Sequence, residues 1–415
     1  MSNNSILVVG GGFAGITAAL EAAEVGHEVY IVETNPYLGG RVAQLNQYFP
    51  KLCPPSCGLE IQFQRIKNNP KVKFFTMSEV VSVSGGPGAF DVKIKQRPRF
   101  VNTNCTMCGE CEKAATTSAS NEFEFGLVDR KVAYRTHLFA FPQRYVVDGA
   151  ACAPGELETL KNACPYGAID TADTEKTFDL SVGSIVWATG WKPYDMANLE
   201  NLGGGKLSNV VSNMQLERLA APNGPTGGKI LRPSDGKEPK RIAFVQCAGS
   251  RDENHLNYCS YICCMASLKH VTYIRERHPD ARIVIYYIDL RTPGRYDNFM
   301  QKVAADDKLT MVKGKVAKIV ECECKSPIVT VEDAVTGIKG EERFDMVVLA
   351  TGMQPSCAGS KLPVELPVDD DGFIIGGAEK GVFAAGCAKL PLDVMKTAQT
   401  GTGAALKAIQ NVVGR

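Results

Sequence analysis

Fifteen cysteines are grouped along this 415-residue chain rather than scattered. They fall at 53 and 57, at 105, 108 and 111, at 152 and 164, at 247, 259, 263 and 264, at 322 and 324, and singly at 357 and 387. Thiolates are soft metal ligands and redox groups, whereas scattered buried cysteines behave as small apolar fillers. The sequence runs straight into Ile6-Leu-Val-Val-Gly10 with no charged and apolar leader, so a cytoplasmic setting is expected. There, clustered cysteines point to metal ligation or thiol redox chemistry rather than to a disulfide framework.

The densest group is Cys105-Thr-Met-Cys108-Gly-Glu-Cys111, followed by Cys164-Pro165. A CxxCxxC triplet with a distant Cys-Pro is the ligand pattern of bacterial ferredoxins, so Cys105, Cys108, Cys111 and Cys164 are expected to hold one [4Fe–4S] cluster. A second ferredoxin cluster is not expected. Ala115 stands where the first run would supply its fourth ligand, and the later run Cys152-Ala-Pro-Gly155-Glu-Leu-Glu158 keeps one thiol of three, leaving Cys152 as a vestige. A four-cysteine zinc knuckle and plain structural thiols are the competing readings, although zinc sites favour two CxxC knuckles.

The second group, Cys247, Cys259, Cys263 and Cys264, has the spacing Cx11Cx3CC. It follows the strand-like Arg241-Ile-Ala-Phe-Val-Gln246, where a nicotinamide site would need a GxGxxG or GxGxxA turn, because bulky side chains keep backbone away from a pyrophosphate. Cys247-Ala-Gly-Ser-Arg251 offers no such turn. The adjacent Cys263 and Cys264 imply either an unusual cluster or an outside ligand, and buried structural thiols remain the plain alternative.

These groups need elements to hold them, and residues 6–33 supply the clearest: strand, Gly10-Gly-Gly12-Phe13-Ala14-Gly15 turn, helix from Ile16 to Val25, then His27-Glu-Val-Tyr-Ile-Val-Glu33 as strand. Gly10 permits the tight turn, Gly12 lets backbone approach a pyrophosphate, Gly15 lets helix and strand pack, and Glu33 can accept from ribose hydroxyls. The continuation Asn35-Pro-Tyr-Leu-Gly39-Gly40-Arg41 resembles the segment after the ribose acid in the glutathione reductase and thioredoxin reductase superfamily. Strands ending in Ala188-Thr189-Gly190 and Ala350-Thr351-Gly352, and the late Gly381-Val-Phe-Ala-Ala-Gly386-Cys387 before a helix from about Val394 to Ile409, resemble it too.

That resemblance implies FAD bound by Gly10, Gly12, Phe13, Ala14, Gly15, Glu33, Gly40, Arg41, Val80, Ala188, Thr189, Gly190, Gly386 and Cys387, with backbone near Val80 against adenine. Cys387 stands where the superfamily has an aspartate, so it is read either as a flavin neighbour or as a small buried filler. The stretch Lys71 to Val83 reads as one strand. The expected fold class is α/β, with two dinucleotide-binding-like domains of the thioredoxin and glutathione reductase type and an inserted ferredoxin-like α+β domain. The FAD-binding domain is assigned to 1–97, 177–222 and 346–415, the insertion to 98–176, and the second dinucleotide-like domain to 240–345. A Gly-, Pro- and charge-rich linker covers 223–240, and a helix is expected near Ser260 to His270.

The Cx11Cx3CC run, Gly39-Gly40-Arg41-Val-Ala-Gln-Leu-Asn46 and the inserted ferredoxin pattern together resemble the A-type flavoprotein subunit of heterodisulfide reductase over nearly the whole chain. The short length and erased ferredoxin cluster are most similar to the corresponding A-type flavoprotein of the quinone-interacting membrane-bound oxidoreductase complex of sulfate reducers. The resemblance implies a second [4Fe–4S] cluster on Cys247, Cys259, Cys263 and Cys264 beside the flavin. It further implies an electron-transfer subunit linking the membrane quinone pool to an acceptor such as adenylylsulfate reductase. Its implied partners are a second flavin and iron–sulfur subunit, with a quinone-interacting membrane subunit, so the chain would meet the membrane peripherally, through partners.

Cys53-Pro-Pro-Ser-Cys57 lies where the glutathione reductase branch keeps a redox disulfide, with a different spacing and a stiff Pro-Pro pair. It reads as a redox pair, as extra cluster ligands or as a structural vestige. Cys322, Cys324 and Cys357 read as structural residues without partners. The five histidines carry no catalytic signature, His255 inside the cysteine run being the one worth inspecting, and no residue is assigned acid–base catalysis. With 46 basic and 45 acidic residues, no global field favours nucleic acid or an anionic membrane. Two rival functions use the same residues: an NAD(P)H-dependent disulfide or sulfur reductase working through Cys53 and Cys57, and a zinc-stabilised scaffold that binds FAD structurally.

Overall fold

A computed structural model describes residues 3–414. The chain opens with β1 (Ile6–Val9), α1 (Phe13–Glu24), β2 (Val29–Val32), α2 (Pro55–Asn68), β3 (Val72–Phe75) and the antiparallel pair β4 (Ser78–Gly86) and β5 (Ala89–Gln96). Between 98 and 175 it forms α3 (Glu110–Ala114), two short ladders, β6 (Ser118–Ser120) with β7 (Asp129–Lys131) and β8 (Ala133–Tyr134) with β9 (Val146–Val147), and α4 (Glu156–Ala163). After β10 (Lys176–Val182), β11 (Ser184–Trp187) and β12 (Trp191–Pro193) come β13 (Val210–Ser212), α5 (Asn213–Ala220), β14 (Arg241–Ala248), α6 (Cys263–Arg277), β15 (Arg282–Tyr287) and α7 (Asp297–Ala304). The remainder is β16 (Leu309–Glu321), β17 (Pro327–Asp333), β18 (Lys339–Arg343), β19 (Met346–Thr351), β20 (Met353–Pro355), β21 (Val382–Ala384) and α8 (Val394–Val413).

Two compact units result, one from residues 1–191 with 355–415 and one from residues 192–354. In the first, a five-stranded parallel sheet runs β21-β11-β1-β2-β3. Its central strands are apolar because both faces are covered. Ile6 and Val8 join the core with Ala18, Ala19 and Leu20 of α1 and Ala404, Ala405 and Ala408 of α8. Leu7 and Val9 face Phe90, Val92 and Ile94 of the β10-β5-β4 sheet instead.

The stretch from Lys71 to Val83 is two strands rather than one. Met77 takes a left-handed backbone, φ 55°, so β3 ends in the parallel sheet and β4 starts in the antiparallel one.

In the second unit a seven-stranded sheet runs β13-β19-β14-β15-β16-β17-β18, parallel up to β16 and antiparallel beyond it. Residues 210–212 and 346–351, which sequence reading attached to the flavin domain, pair with each other, and 346–351 pair with β14, so both belong to this sheet. On its α6 face lies a buried ionic cluster: Glu217 Oε1 meets Lys269 Nζ and His270 Nε2, each at 2.7 Å, and Tyr273 donates to Glu217 Oε2 at 3.3 Å. The histidine without a sequence signature thus has a carboxylate partner.

Candidate flavin and thiol sites

The Gly-rich turn closes three backbones on one another. Gly10, at φ 106°, donates to Val32 O at 2.8 Å, and a Cβ there would lie 2.3 Å from Ala188 O. Ala188 in turn donates to Val9 O at 2.8 Å, which brings the Ala188-Thr189-Gly190 turn against the first strand. A Cβ on Gly40 would sit 2.8 Å from Gly12 Cα, so the Gly39-Gly40 turn closes over the first glycine run with no room for a side chain on Gly40.

Gly12 begins α1 without any side-chain cap. The first-turn N–H groups of α1, at Phe13 and Ala14, are thus left for an anion. Phe13 lies beside Tyr48, ring centroids 6.4 Å apart, while Ala14 is buried under Gly386.

Glu33 directly follows β2, 5% exposed, where burial raises its pKa against the pull of its hydrogen bonds. Its Oε2 accepts from Gly11 N at 2.7 Å, and Oε1 accepts from Asn35 N and Nδ2 at 2.8 and 2.7 Å. Ser78 N donates to Glu33 O at 2.8 Å, so β4, and Val80 two residues on, begins beside this acid. Arg41 donates to Trp191 O at 3.2 Å and Gln44 Oε1 at 3.0 Å.

Among the described residues, Thr189 Oγ1 in this turn and Trp187 Nε1, at the end of β11 and packed toward the antiparallel sheet, are buried without a hydrogen-bond partner. An orphaned hydroxyl on Thr189, whose N would lie 3.1 Å from a Cβ on Gly10, fits a bound polar ligand such as FAD. Cys387 turns its buried thiol to Leu392 O, 3.6 Å, and Thr397 Oγ1, 3.8 Å, and burial pushes that thiol up to about 11. It fills an internal slot.

Cys53 is half-buried and Cys57 is exposed in the first turn of α2; neither is oxidised. Tyr48, whose N donates to Cys53 O at 3.0 Å, has its phenol pKa raised by burial and then by these two thiols, so it lies near both.

In the 98–176 segment the four expected ligands are neighbours. Burial, then Cys105, with Cys164 and Cys108 adding, pushes the Cys111 thiol up to about 12. Ala168 N donates to Cys164 Sγ at 3.3 Å, the kind of bond that tunes sulfur ligands. Cys152 and Ala115 pack into the same small core.

Beside them Glu156, which sequence reading did not single out, serves as an internal anion. Its Oε1 accepts from Thr116 N, Thr116 Oγ1 and Thr117 N at 2.7, 3.0 and 2.9 Å, and Oε2 accepts from Ala153 N at 2.9 Å. The only sequence signal was an acid four residues after Cys152.

The second group lies in a connection unlike the first. From β1 to α1 the chain needs three residues, Gly10 to Gly12; from β14 to α6 it needs residues 249–262. Cys247 itself is left-handed, φ 55°, Cys259 lies in the loop, and Cys263 and Cys264 begin α6. Burial raises Cys263 well up, with Cys264, Cys247 and Cys259 adding, and raises Cys247 to about 11, with Cys264 adding, so the four are close.

Tyr261 N donates to Cys259 Sγ at 3.4 Å, while the thiols of Cys263 and Cys264 point at the carbonyls of Thr351 and Asp289, each 3.8 Å away. His255 turns to Tyr194 Oη at 3.0 Å. Gln246, next to Cys247 and 6% exposed, buries both amide atoms without a hydrogen-bond partner among the described residues, its one sequence signal being a polar side chain in an apolar strand.

Among the described residues no three His, Cys, Asp or Glu side chains stand in a ready metal-binding arrangement. The thiols fit iron–sulfur ligation by type and neighbourhood; burial favours the neutral form of Cys111, Cys247, Cys263 and Cys264, and the last two are turned to carbonyls, so loading requires deprotonation there and rotation of that pair.

Cys322 and Cys324 correct the expectation of partnerless cysteines, since they form a disulfide. The other thirteen are free thiols. Among the described residues no helix is long and apolar enough to cross a membrane.

Residues 5–51 match the FAD dependent oxidoreductase family. Over 417 residues, 97% of this chain and 63% of the relative, the sequence is 38% identical to a CoB–CoM heterodisulfide reductase iron-sulfur subunit of Methanopyrus kandleri. It is 37% identical to the CoB–CoM heterodisulfide reductase iron-sulfur subunit of the same type from Methanocaldococcus jannaschii, covering 97% of this chain and 63% of that one. The chain thus spans under two thirds of the length of these relatives.

In fold it is similar to T. acidophilum thioredoxin reductase, TM-score 0.54 at 15% identity with 100% and 99% of the two chains covered. A bacillithiol disulfide reductase of Bacillus cereus gives TM-score 0.54 at 12% identity, with 99% of each chain covered. The α/β, two-dinucleotide-fold expectation agrees with these likenesses.

Proposed function

We propose, for a chain that is an FAD-dependent oxidoreductase similar to the A-type subunits of heterodisulfide reductase, that it works as the electron-transfer subunit of a larger complex. It would pass electrons between FAD and two [4Fe–4S] clusters, one on Cys105, Cys108, Cys111 and Cys164 and one on Cys247, Cys259, Cys263 and Cys264. The observation that carries this reading is the β14–α6 connection. A nicotinamide site needs a short glycine turn into a helix, as β1–α1 has, and residues 247–264 supply a long loop with four neighbouring thiols instead.

FAD handles electrons in pairs and iron–sulfur clusters handle them singly, so the protein's task is to hold and tune them. Gly10, Gly12, Gly15 and Gly40 admit the pyrophosphate, Glu33 orients Gly11 and Asn35 beside the ribose, and Thr189 supplies a hydroxyl without a hydrogen-bond partner among the described residues. The backbone donors at Ala168 and Tyr261 stabilise sulfur charge. No acid–base residue is required. In our reading the partners are a second flavin and iron–sulfur subunit, with a quinone-interacting membrane subunit, and electrons pass between the quinone pool and an acceptor such as adenylylsulfate reductase.

Anaerobic purification with flavin, iron, sulfide and zinc analysis tests the proposal. Iron and sulfide for two clusters beside one FAD, with no bleaching of the flavin by NADH or NADPH in the isolated chain, is the expected result. Zinc without iron, or prompt flavin reduction by either nicotinamide, overturns it.

A further inference from the structure

One cysteine pair has no part in the electron path above. Cys322 and Cys324 are bridged at the tip of the β16–β17 hairpin, with Cys324 exposed and Cys322 half-buried. The bridge is not needed to close that hairpin. Glu321 already pairs with Pro327, Cys322 N donates to Ser326 O at 3.1 Å, and Lys325 N donates to Cys322 O at 2.9 Å, with Lys325 at φ 62°. Asn209 Nδ2 then holds Lys325 O at 2.7 Å. By loop entropy a bridge across three residues stabilises about half as much as one across fifteen. A disulfide that staples so little, in a chain whose other thirteen cysteines are thiols, is the labile and not the structural kind.

Arg343 supplies the chemistry. Its Nη2 lies 3.0 Å from Cys324 Sγ and 3.5 Å from Ser326 Oγ, and among the described residues no carboxylate forms an ion pair with it. A guanidinium against a neutral disulfide sulfur gains little; against a thiolate it gains a charge-assisted hydrogen bond. Arg232 Nη2 donates to Cys324 O at 3.3 Å and fixes the backbone there, its own charge being met by Asp235 and Asp345.

We propose that Cys322 and Cys324 form a redox-active dithiol–disulfide pair, with Arg343 stabilising Cys324 as the leaving thiolate and a dithiol as the exchange partner. The partner's thiolate attacks Cys322 Sγ, the Cys322–Cys324 bond breaks, and Cys324 leaves as a thiolate beside Arg343. The partner's second thiol then closes its own disulfide and releases Cys322, which takes one proton while the other goes to solvent. Two electrons pass from partner to pair, and the reverse sequence reoxidises it. The Arg343 guanidinium 3.0 Å from Cys324 Sγ stabilises the departing thiolate and so favours the reduced pair.

The test uses the full chain, equilibrated anaerobically in glutathione buffers of graded poise, acid-quenched, alkylated and read by mass spectrometry at the 322–324 peptide. The pair is expected to interconvert within a physiological glutathione poise. Arg343→Gln shifts the equilibrium constant toward the disulfide about three- to tenfold, a tenfold change being about 30 mV for this two-electron couple, and Arg343→Lys retains most of the effect.

A bridge that glutathione never opens, one that never forms, or an equilibrium unmoved by Arg343→Gln overturns the proposal. So does a Cys322→Ser, Cys324→Ser double variant that unfolds the second unit, since that marks a structural staple. Flavin and iron contents, measured on the same samples, are expected to be unchanged in every variant, which keeps this result separate from the cluster reading.

Discussion

Gly15 packs directly beneath the carbonyl of Gly10: a Cβ on Gly15 would stand 1.9 Å from Gly10 O and 3.1 Å from Val8 Cγ1. The helix can begin over the first strand only because both residues lack side chains, and the same contact sets the height of the turn proposed above to face the dinucleotide.

Gly15→Ala is therefore expected to cost about 1–3 kcal/mol and to remove bound flavin even where the chain still folds. Flavin absorbance of the purified variant, beside its melting transition, checks this; an alanine variant that keeps its flavin would show that the turn does not set the site.

Substituting Cys105→Ser is expected to remove the iron of one cluster and leave that of the other, together with the FAD. The double variant Cys263→Ser, Cys264→Ser is expected to do the converse. Iron and sulfide per flavin, with low-temperature EPR of the reduced protein, separate the two sites. Loss of all iron in either case would point to one shared centre.

Glu156 is held at about 2 despite its burial, which opposes ionisation, because four hydrogen bonds from Thr116, Thr117 and Ala153 favour the carboxylate. Its folded pKa lies below its ordinary value, so its contribution to stability is present above roughly pH 4.5 and fades as pH falls toward 2. Glu156→Gln is expected to destabilise the chain by about 2 kcal/mol at neutral pH and by much less near pH 2. Melting scans of both forms across that range check the sign.

Buried Lys269 depends on Glu217, which its neighbours hold at about 2 against the opposing effect of burial. Glu217→Gln removes the carboxylate charge 2.7 Å from an ammonium 4% exposed and is expected to cost about 3–5 kcal/mol. Pairing it with Lys269→Met is expected to recover most of that loss. Urea titrations of the two single variants and the double give the coupling.

Much of this protein was legible from residue order alone. The run Ile6 to Gly15 dictates strand, turn and helix because no other conformation spares the glycines and buries the apolar strand, and the thiols at 105, 108, 111 and 164, or at 247, 259, 263 and 264, declare themselves by spacing. The tertiary structure decided what depends on residues far apart in the chain. Met77 sends β3 and β4 to different sheets through a single left-handed residue. Residues 210–212 and 346–351 join the second sheet because β14 lies beside β19. Glu156 is an internal anion only because Thr116 and Thr117, forty residues away, aim their donors at it, and Arg343 reaches Cys324 only because β18 pairs with β17. Local sequence encodes backbone conformation and side-chain type; which donor meets which acceptor is settled by the packing of strands that the sequence holds apart.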